Sequence, residues 1–373
     1  MKIELFGVED WMNRYETTAV YNLAETCVDS LTLRELLALD QSGENPLHQL
    51  MDRRLTYGDI QGAPALRTAI ASLYQKIPPE QILTAHGAIG ANQLVIMSLV
   101  EPKDHVVVTV PTYQQLYSLP EALGARVDRL RLLPEESYLP NLRQLRELVR
   151  PETKMVCLNN PNNPTGALIP ETMMREIVQI AGESDAWLFC DEVYRGMMPD
   201  GVKAVTSVAD LYDKGVATGS FSKVFSLAGL RLGWVAGPTP LIDTCSQHRD
   251  YNTISCSMID EALAVIAITN RKILWQRNRE LLHRNLQLLD DWMAEEARVS
   301  YVKPQAGTTA FLKVDTKLST AEFCRRLMNE TGTMLVPGSC FEEEGFVRMG
   351  YACDEKTLLT GLEKLSQFLK IVP

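Results

Sequence analysis

The segment Gly219-Ser-Phe-Ser-Lys223-Val-Phe-Ser-Leu-Ala-Gly-Leu-Arg231-Leu-Gly-Trp234 holds one lysine and, eight residues later, one arginine. Small polar residues lead into Lys223, and Phe221, Val224 and Phe225 flank it. If those neighbours bury the amine, desolvation lowers its pKa and leaves a neutral nucleophile able to attack a carbonyl. Arg231 stays cationic in almost any setting and suits a phosphate. An aldehyde-reactive lysine beside a phosphate-binding arginine is what pyridoxal 5'-phosphate (PLP) requires. A surface lysine and a structural arginine would have the same spacing, so the segment needs partners elsewhere in the chain.

Working outward, residues 84 to 237 alternate short apolar strands with helices. That pattern predicts an α/β fold, a mostly parallel sheet with helices on both faces. Ligands of such sheets sit beyond the carboxyl ends of the strands. The strand Ala186-Trp-Leu-Phe-Cys190 ends in Asp191, a carboxylate that needs a partner at the end of so apolar a run. A pyridine nitrogen is such a partner. The strand from Lys154 runs into Asn160-Pro-Asn-Asn163-Pro-Thr-Gly166, a tight proline- and glycine-rich turn. His105-Val-Val-Val-Thr-Val-Pro111 reads as a buried strand followed by Tyr113. Gly87-Ala88-Ile89-Gly90 opens an apolar helix, and small residues there leave backbone N–H groups free for an anion. His86 before it reads as packed or solvated.

The order of these motifs resembles the fold-type I PLP enzymes, the class I/II aminotransferases, over about residues 21 to 370. The signatures are S-x-S-K-x(7)-R-x-G and N-P-x-N-P-T-G, with Asp191 and Tyr194 between them. The resemblance implies a seven-stranded-type sheet and a smaller α+β domain. Lys223 would bind the cofactor covalently. Asp191 would keep its ring nitrogen protonated. Asn163 and Tyr194 would bond its phenolic oxygen, and Tyr113 would stack on its ring. The N–H groups of Ala88 and Ile89, Ser220 and Arg231 would hold the phosphate, while Ser222 could equally be structural. Tyr57 would reach the phosphate of a neighbouring subunit, which implies a homodimer; a tyrosine capping its own loop is the alternative. Phe346-Val-Arg348-Met-Gly-Tyr resembles the strand whose arginine grips the substrate α-carboxylate, with help from Asn163. Ala24 stands at the arm's substrate-facing turn, with Glu25 after it.

Length and composition set the frame. The 373 residues suggest about two domains. We expect an arm over 1–45, a large PLP-binding domain over 46–250 and a C-terminal small domain over 251–373. Ser30 is the candidate cap of a helix over 30–37, and 257–296 reads as one long helix. A net charge of −10 argues against nucleic acid as a partner. Eight scattered cysteines form no C-x-x-C pair and no cluster with histidine, so neither a metal site nor a disulfide frame is expected. The start is too acidic for a signal peptide, and no apolar run reaches membrane-spanning length. A cytoplasmic location is expected.

The functional expectation is a PLP-dependent aminotransferase acting on an amino acid and a 2-oxo acid. A PLP-dependent cyclase, lyase or oxidase would need the same residues. Residues 24–36 and Pro111-Thr-Tyr-Gln-Gln-Leu also resemble the capreomycidine synthases, PLP enzymes that cyclise a hydroxylated arginine. The arm concentrates acids, Glu9, Asp10, Glu16, Glu25 and Asp29. A guanidinium or ammonium entering a dry pocket needs a carboxylate partner. The expected contacts of a cationic, arginine-like substrate side chain are therefore Glu25 or Glu9, unless these acids are only a solvated helix face.

Overall fold

The computed structural model describes residues 2–40, 46–198 and 205–373. The arm holds helix Gly7–Tyr15 and strand β1 (Tyr21–Asn22). The strands that follow are β2 (Ile82–His86), β3 (His105–Val110), β4 (Arg126–Arg131), β5 (Thr153–Asn159), β6 (Trp187–Asp191), β7 (Gly215–Ser220) and β8 (Leu232–Ala236). They form one seven-stranded sheet in the order β2-β8-β7-β6-β5-β3-β4. Only β8 runs against its neighbours, pairing antiparallel with both β2 and β7. The other pairings are parallel.

Side-chain alternation explains why this sheet is covered on both faces. In β3 every residue is buried. Val106, Val108 and Val110 pack with helix residues Leu94, Val95 and Leu116 on one face. Val107 joins Val156, Leu158, Leu188 and Ile177 on the other. The β-branched run suits a pleated strand and leaves no polar face for solvent.

The chain continues into β9 (Val299–Tyr301), β10 (Thr309–Val314), β11 (Thr333–Met334), β12 (Val336–Pro337) and β13 (Phe346–Gly350). The antiparallel sheet β12-β13-β10-β9 is backed by helix Thr320–Thr331, and helix Glu355–Leu369 packs on β1 and β11. β1 pairs in parallel with β11, so the N-terminal arm is stitched to this C-terminal region.

Two sequence expectations change. The helix near residue 30 begins later, with Thr32 as its cap. Thr32 Oγ1 accepts from the Glu35 N–H, and Glu35 Oε2 accepts from the Thr32 N–H. This reciprocal box needs a glutamate three residues on, which Thr32 has and Ser30 lacks. The single helix expected over 257–296 is two, Met258–Thr269 and Arg271–Glu295. Asn270 leaves helical geometry between them, and its Nδ2 donates to the Ile266 carbonyl. Such side-chain bonding competes with the helix ladder.

Candidate active site

The carboxyl ends of β3, β5, β6 and β7 point to one edge of the sheet, and the loops that follow them meet there. A cavity of about 300 Å³ opens at this edge. Its wall brings together Ala24, Glu25, Ala88, Ile89, Tyr113, Asn163, Asp191, Tyr194, Ser220, Lys223, Arg231 and Arg348. Residues far apart in sequence thus line one cavity, and Tyr57 does not. Tyr57 is 71% exposed and borders Ser255, Ser257 and Met258, away from this cavity.

Asp191 ends β6 and is only 4% exposed. Its Oδ2 accepts from Asn92 Nδ2 at 2.8 Å, and Oδ1 accepts from the Val193 N–H at 3.1 Å. Asn92 is itself fixed by Thr218, whose hydroxyl donates to Asn92 Oδ1 at 2.6 Å. Burial raises the Asp191 pKa, so its charge is short of a counter-ion. A protonated ring nitrogen meets that need. Asn92 was not among the expected site residues. Its signal was a polar side chain inside the apolar helix Gly87–Leu99.

The turn after β5 is held by Asn159. Its Nδ2 donates to the Asp191 carbonyl at 2.9 Å, and its Oδ1 accepts from the Asn163 N–H at 2.6 Å. Gly166 closes the turn at φ +69°, where an added Cβ would lie 2.6 Å from Pro304 Cβ. Only glycine satisfies both constraints.

At the phosphate end, Gly87 begins its helix at φ +66°, and a Cβ there would lie 2.9 Å from Arg231 Nη2. Gly233 would bring a Cβ to 2.7 Å from the Ala88 nitrogen. These two glycines let Arg231 and β8 close on the helix N-terminus. No side chain caps that terminus. First-turn N–H groups beside a guanidinium form an anion cradle. Ser220 Oγ accepts from the Ser222 N–H at 2.9 Å, which shapes the loop leading to Lys223.

Lys223 departs from expectation. Phe221 and Phe225 do not surround its amine. They turn into the core, fully buried, with ring centroids 4.8 Å apart and against Trp234 and Trp275. The amine instead faces the arm. Nζ donates to Thr26 Oγ1 at 2.7 Å and to Cys27 Sγ at 3.3 Å, and Glu25 Oε1 lies 3.9 Å away. Burial pulls the lysine pKa down, but Cys27, Tyr194 and Glu25 outweigh it and the net shift is upward. Glu25 is ionised at neutral pH. Burial opposes its charge, yet Lys223 and the N–H groups of Cys27 and Thr26 hold its pKa down at about 2. The Cys27 thiol is pushed up to about 11, chiefly by burial. Without cofactor, then, the lysine is an ammonium rather than the neutral amine expected from its neighbours. Thr26 and Cys27 were not expected here, since nothing local in the sequence ties residue 26 to residue 223.

Arg348 sits on β13, an inner strand of the four-stranded sheet, and is 3% exposed. Nη1 donates to Asn163 Oδ1 at 3.2 Å and Nη2 to the Ala24 carbonyl at 2.9 Å. Its Nε has no partner among the described residues. Burial lowers its pKa from the ordinary value. A buried guanidinium on a cavity wall suits a carboxylate. Tyr113 OH donates to Glu9 Oε1 at 2.8 Å, which fixes the ring at the cavity edge. The residues present therefore fit PLP and an α-amino acid. There is a lysine whose amine becomes a nucleophile once it gives up its proton, a buried acid that suits a ring nitrogen, an anion cradle and a guanidinium that suits a carboxylate.

Comparison with known proteins agrees. The family model for class I and II aminotransferases matches residues 22–365. The chain is 31% identical over 365 residues to capreomycidine synthase of Streptomyces vinaceus, covering 97% of this chain and 93% of that protein. It is 27% identical to an aspartate aminotransferase of Thermotoga maritima, over 87% of this chain and 86% of the relative. The crystal structure of a PLP-dependent aminotransferase from Streptococcus suis superimposes with a TM-score of 0.95 at 45% identity, covering 100% of this chain and 99% of that one. This chain belongs to the class I and II aminotransferases, the PLP-dependent enzymes of fold type I.

Proposed function

We propose that this protein is an aminotransferase of an α-amino acid with a cationic, arginine-like side chain. The observation that carries the reading is Arg348, buried, with Nε unpartnered, on the wall of the cavity that also holds Lys223 and Asp191. When bound, PLP supplies an aldehyde carbon and an electron sink. Lys223 would hold it through its side-chain nitrogen and would move the proton at the substrate Cα. Asp191, oriented by Asn92, would keep the ring nitrogen protonated. Tyr194 and Asn163 would bond the phenolic oxygen, and Tyr113 would stack on the ring. Arg231, Ser220 and the N–H groups of Ala88 and Ile89 would hold the phosphate. Arg348 and Asn163 orient the carboxylate. Names of relatives do not decide the substrate, since they include both a capreomycidine synthase and an aspartate aminotransferase. Glu9, Glu16 and Glu25 on the cavity wall disfavour an acidic side chain. The test is to offer single amino acids with a common 2-oxo acid to purified holoenzyme and identify the products by mass. Stoichiometric exchange of the amino group is expected; ammonia or peroxide instead excludes transamination.

One observation favours a second reading, cyclisation or another reaction beyond Cα. Lys223 is met by Thr26, Cys27 and Glu25, polar groups able to pass protons further along the substrate. The 31% identity to capreomycidine synthase points the same way. A cyclic product without a new 2-oxo acid would select it.

We further propose a cytoplasmic homodimer in which Tyr57 reaches the phosphate of the second subunit. Its ring is 71% exposed, as a residue committed to another chain would be. Among the described residues, no helix is long and apolar enough to cross a membrane. Light scattering should give a dimer mass, and Tyr57→Phe should weaken PLP retention severalfold. A monomer at micromolar concentration with full activity contradicts this.

A further inference from the structure

On the reading above, Lys223 moves the proton at the substrate Cα, and it does so as a free amine, after the substrate has displaced it. A free amine in a largely buried place needs acceptors for its N–H groups. The arm supplies them. Lys223 Nζ donates to Thr26 Oγ1 at 2.7 Å and to Cys27 Sγ at 3.3 Å. Glu25 Oε1, at 3.9 Å, is beyond hydrogen-bond range. Thr26 therefore makes the shorter bond, and to an oxygen, whereas a thiol sulfur is a weak acceptor.

A neutral amine has two N–H groups and one lone pair. With both N–H groups given to Thr26 and Cys27, the lone pair is left on the side away from those acceptors, where it can take a proton. An ammonium places its third N–H there instead and can return the proton. A hydroxyl accepts from the amine and the ammonium alike, so the bond to Thr26 survives transfer in both directions. A carboxylate in its place would favour the ammonium and retain the proton.

Thr26 is held in turn. Its carbonyl accepts from Thr308 Oγ1 at 2.7 Å, and both residues are buried. Its N–H donates to Glu25 Oε1 at 2.7 Å. Two residues earlier, the Ala24 carbonyl accepts from Arg348 Nη2 at 2.9 Å, and the Leu23 carbonyl accepts from the Gly350 N–H at 2.8 Å. Backbone contacts place the segment, which leaves the Thr26 hydroxyl to serve the lysine. We infer that Thr26 is a positioning residue, whose hydroxyl holds the released Lys223 amine and aims it at the substrate Cα. This rests on the amino-acid reading of the cavity and deepens it.

The experiment compares wild type, Thr26→Val, which removes the hydroxyl but keeps the branched shape, and Thr26→Ser, which keeps the hydroxyl. Circular dichroism melts check folding, and Thr26→Ala replaces the valine variant should that one fail to fold. Two rates are read. The first needs no cofactor: acylation of Lys223 by acetic anhydride at pH 9, located by mass spectrometry. Cys27, Glu25, Glu16, Tyr194 and Asp191 act electrostatically on the same amine and are unchanged across these proteins. Loss of an acceptor makes the ammonium easier to deprotonate, so acylation should rise about fivefold in Thr26→Val. The second is hydrogen-for-deuterium exchange at the Cα of L-arginine, or of L-alanine if arginine is inert, by holoenzyme in D2O, followed by NMR. Its rate at saturation should fall about tenfold in Thr26→Val, with KM within about twofold of wild type. Thr26→Ser should stay close to wild type in both rates. Either rate unchanged in Thr26→Val, a loss confined to KM, or a serine variant as altered as the valine one overturns the positioning role alone. If wild type exchanges the Cα hydrogen of neither amino acid, the amino-acid reading falls and the role of Thr26 with it.

Discussion

Glu25 and Lys223 hold opposite charges close together where the cofactor must attach. The folded Glu25 pKa of about 2 lies below the ordinary 4.5, so over that window the unfolded chain binds more protons. Its stabilisation is full above about pH 4.5 and is lost as pH falls toward 2. In the cofactor-free protein, the stability gap between wild type and Glu25→Gln should be widest at pH 6 and should close on acidification. Urea unfolding at pH 6, 4 and 3 measures it, and a gap independent of pH contradicts the pairing. The same pairing keeps Lys223 protonated, so Glu25→Gln should speed capture of added PLP at neutral pH severalfold, read by stopped-flow absorbance. Arg348→Lys removes the planar fork that suits a carboxylate. It should raise the KM for amino acids about ten- to a hundredfold, the worth of a charged hydrogen bond or two. A change below twofold would mean that Arg348 does not touch substrate.

At the scale of elements, close approach decides what each segment tolerates. Gly350 ends β13 beneath the arm, and an added Cβ would lie 1.8 Å from the Glu25 carbonyl oxygen. Gly350→Ala should therefore push the arm off β13. The expected cost is about 2 kcal/mol or more of stability, with weaker amino-acid binding, since the Ala24 carbonyl that holds Arg348 moves too. Thr32→Ala should cost about 1 kcal/mol while Ser30→Ala costs nothing comparable. Equal effects in urea unfolding would contradict the observed cap. The motifs at the strand ends were legible because each combines a buried run with a residue whose chemistry the run cannot satisfy, as at Asp191. The helix break at Asn270 was hidden because the apolar pattern continues through it. The cap was misplaced because Ser30 and Thr32 are both good caps, and only the reciprocal Glu35 separates them.

Over the whole molecule, the doubly covered sheet could be read from the alternation of apolar strands and helices, because that pattern has few other ways to bury itself. The convergence of Lys223, Asp191, Asn163 and Arg348 followed from resemblance and from strand ends. The surroundings of Lys223 could not be read in this way. Thr26 and Cys27 reach it across almost 200 residues of chain, and Phe221 and Phe225 turn into the core against Trp234 and Trp275. Side-chain direction in a loop has no periodicity to betray it. The acids of the arm were visible, but which of them Lys223 claims depends on where the arm folds, and that is fixed by β1 pairing with β11. The central claim is that Lys223 is the residue that binds PLP. Reducing the holoenzyme with borohydride, digesting it and locating the phosphopyridoxyl group by mass spectrometry tests this directly. One label per chain on the peptide containing Lys223, absent in Lys223→Ala, is the expected result. A label on another lysine, or full labelling of the Lys223→Ala protein, would contradict it.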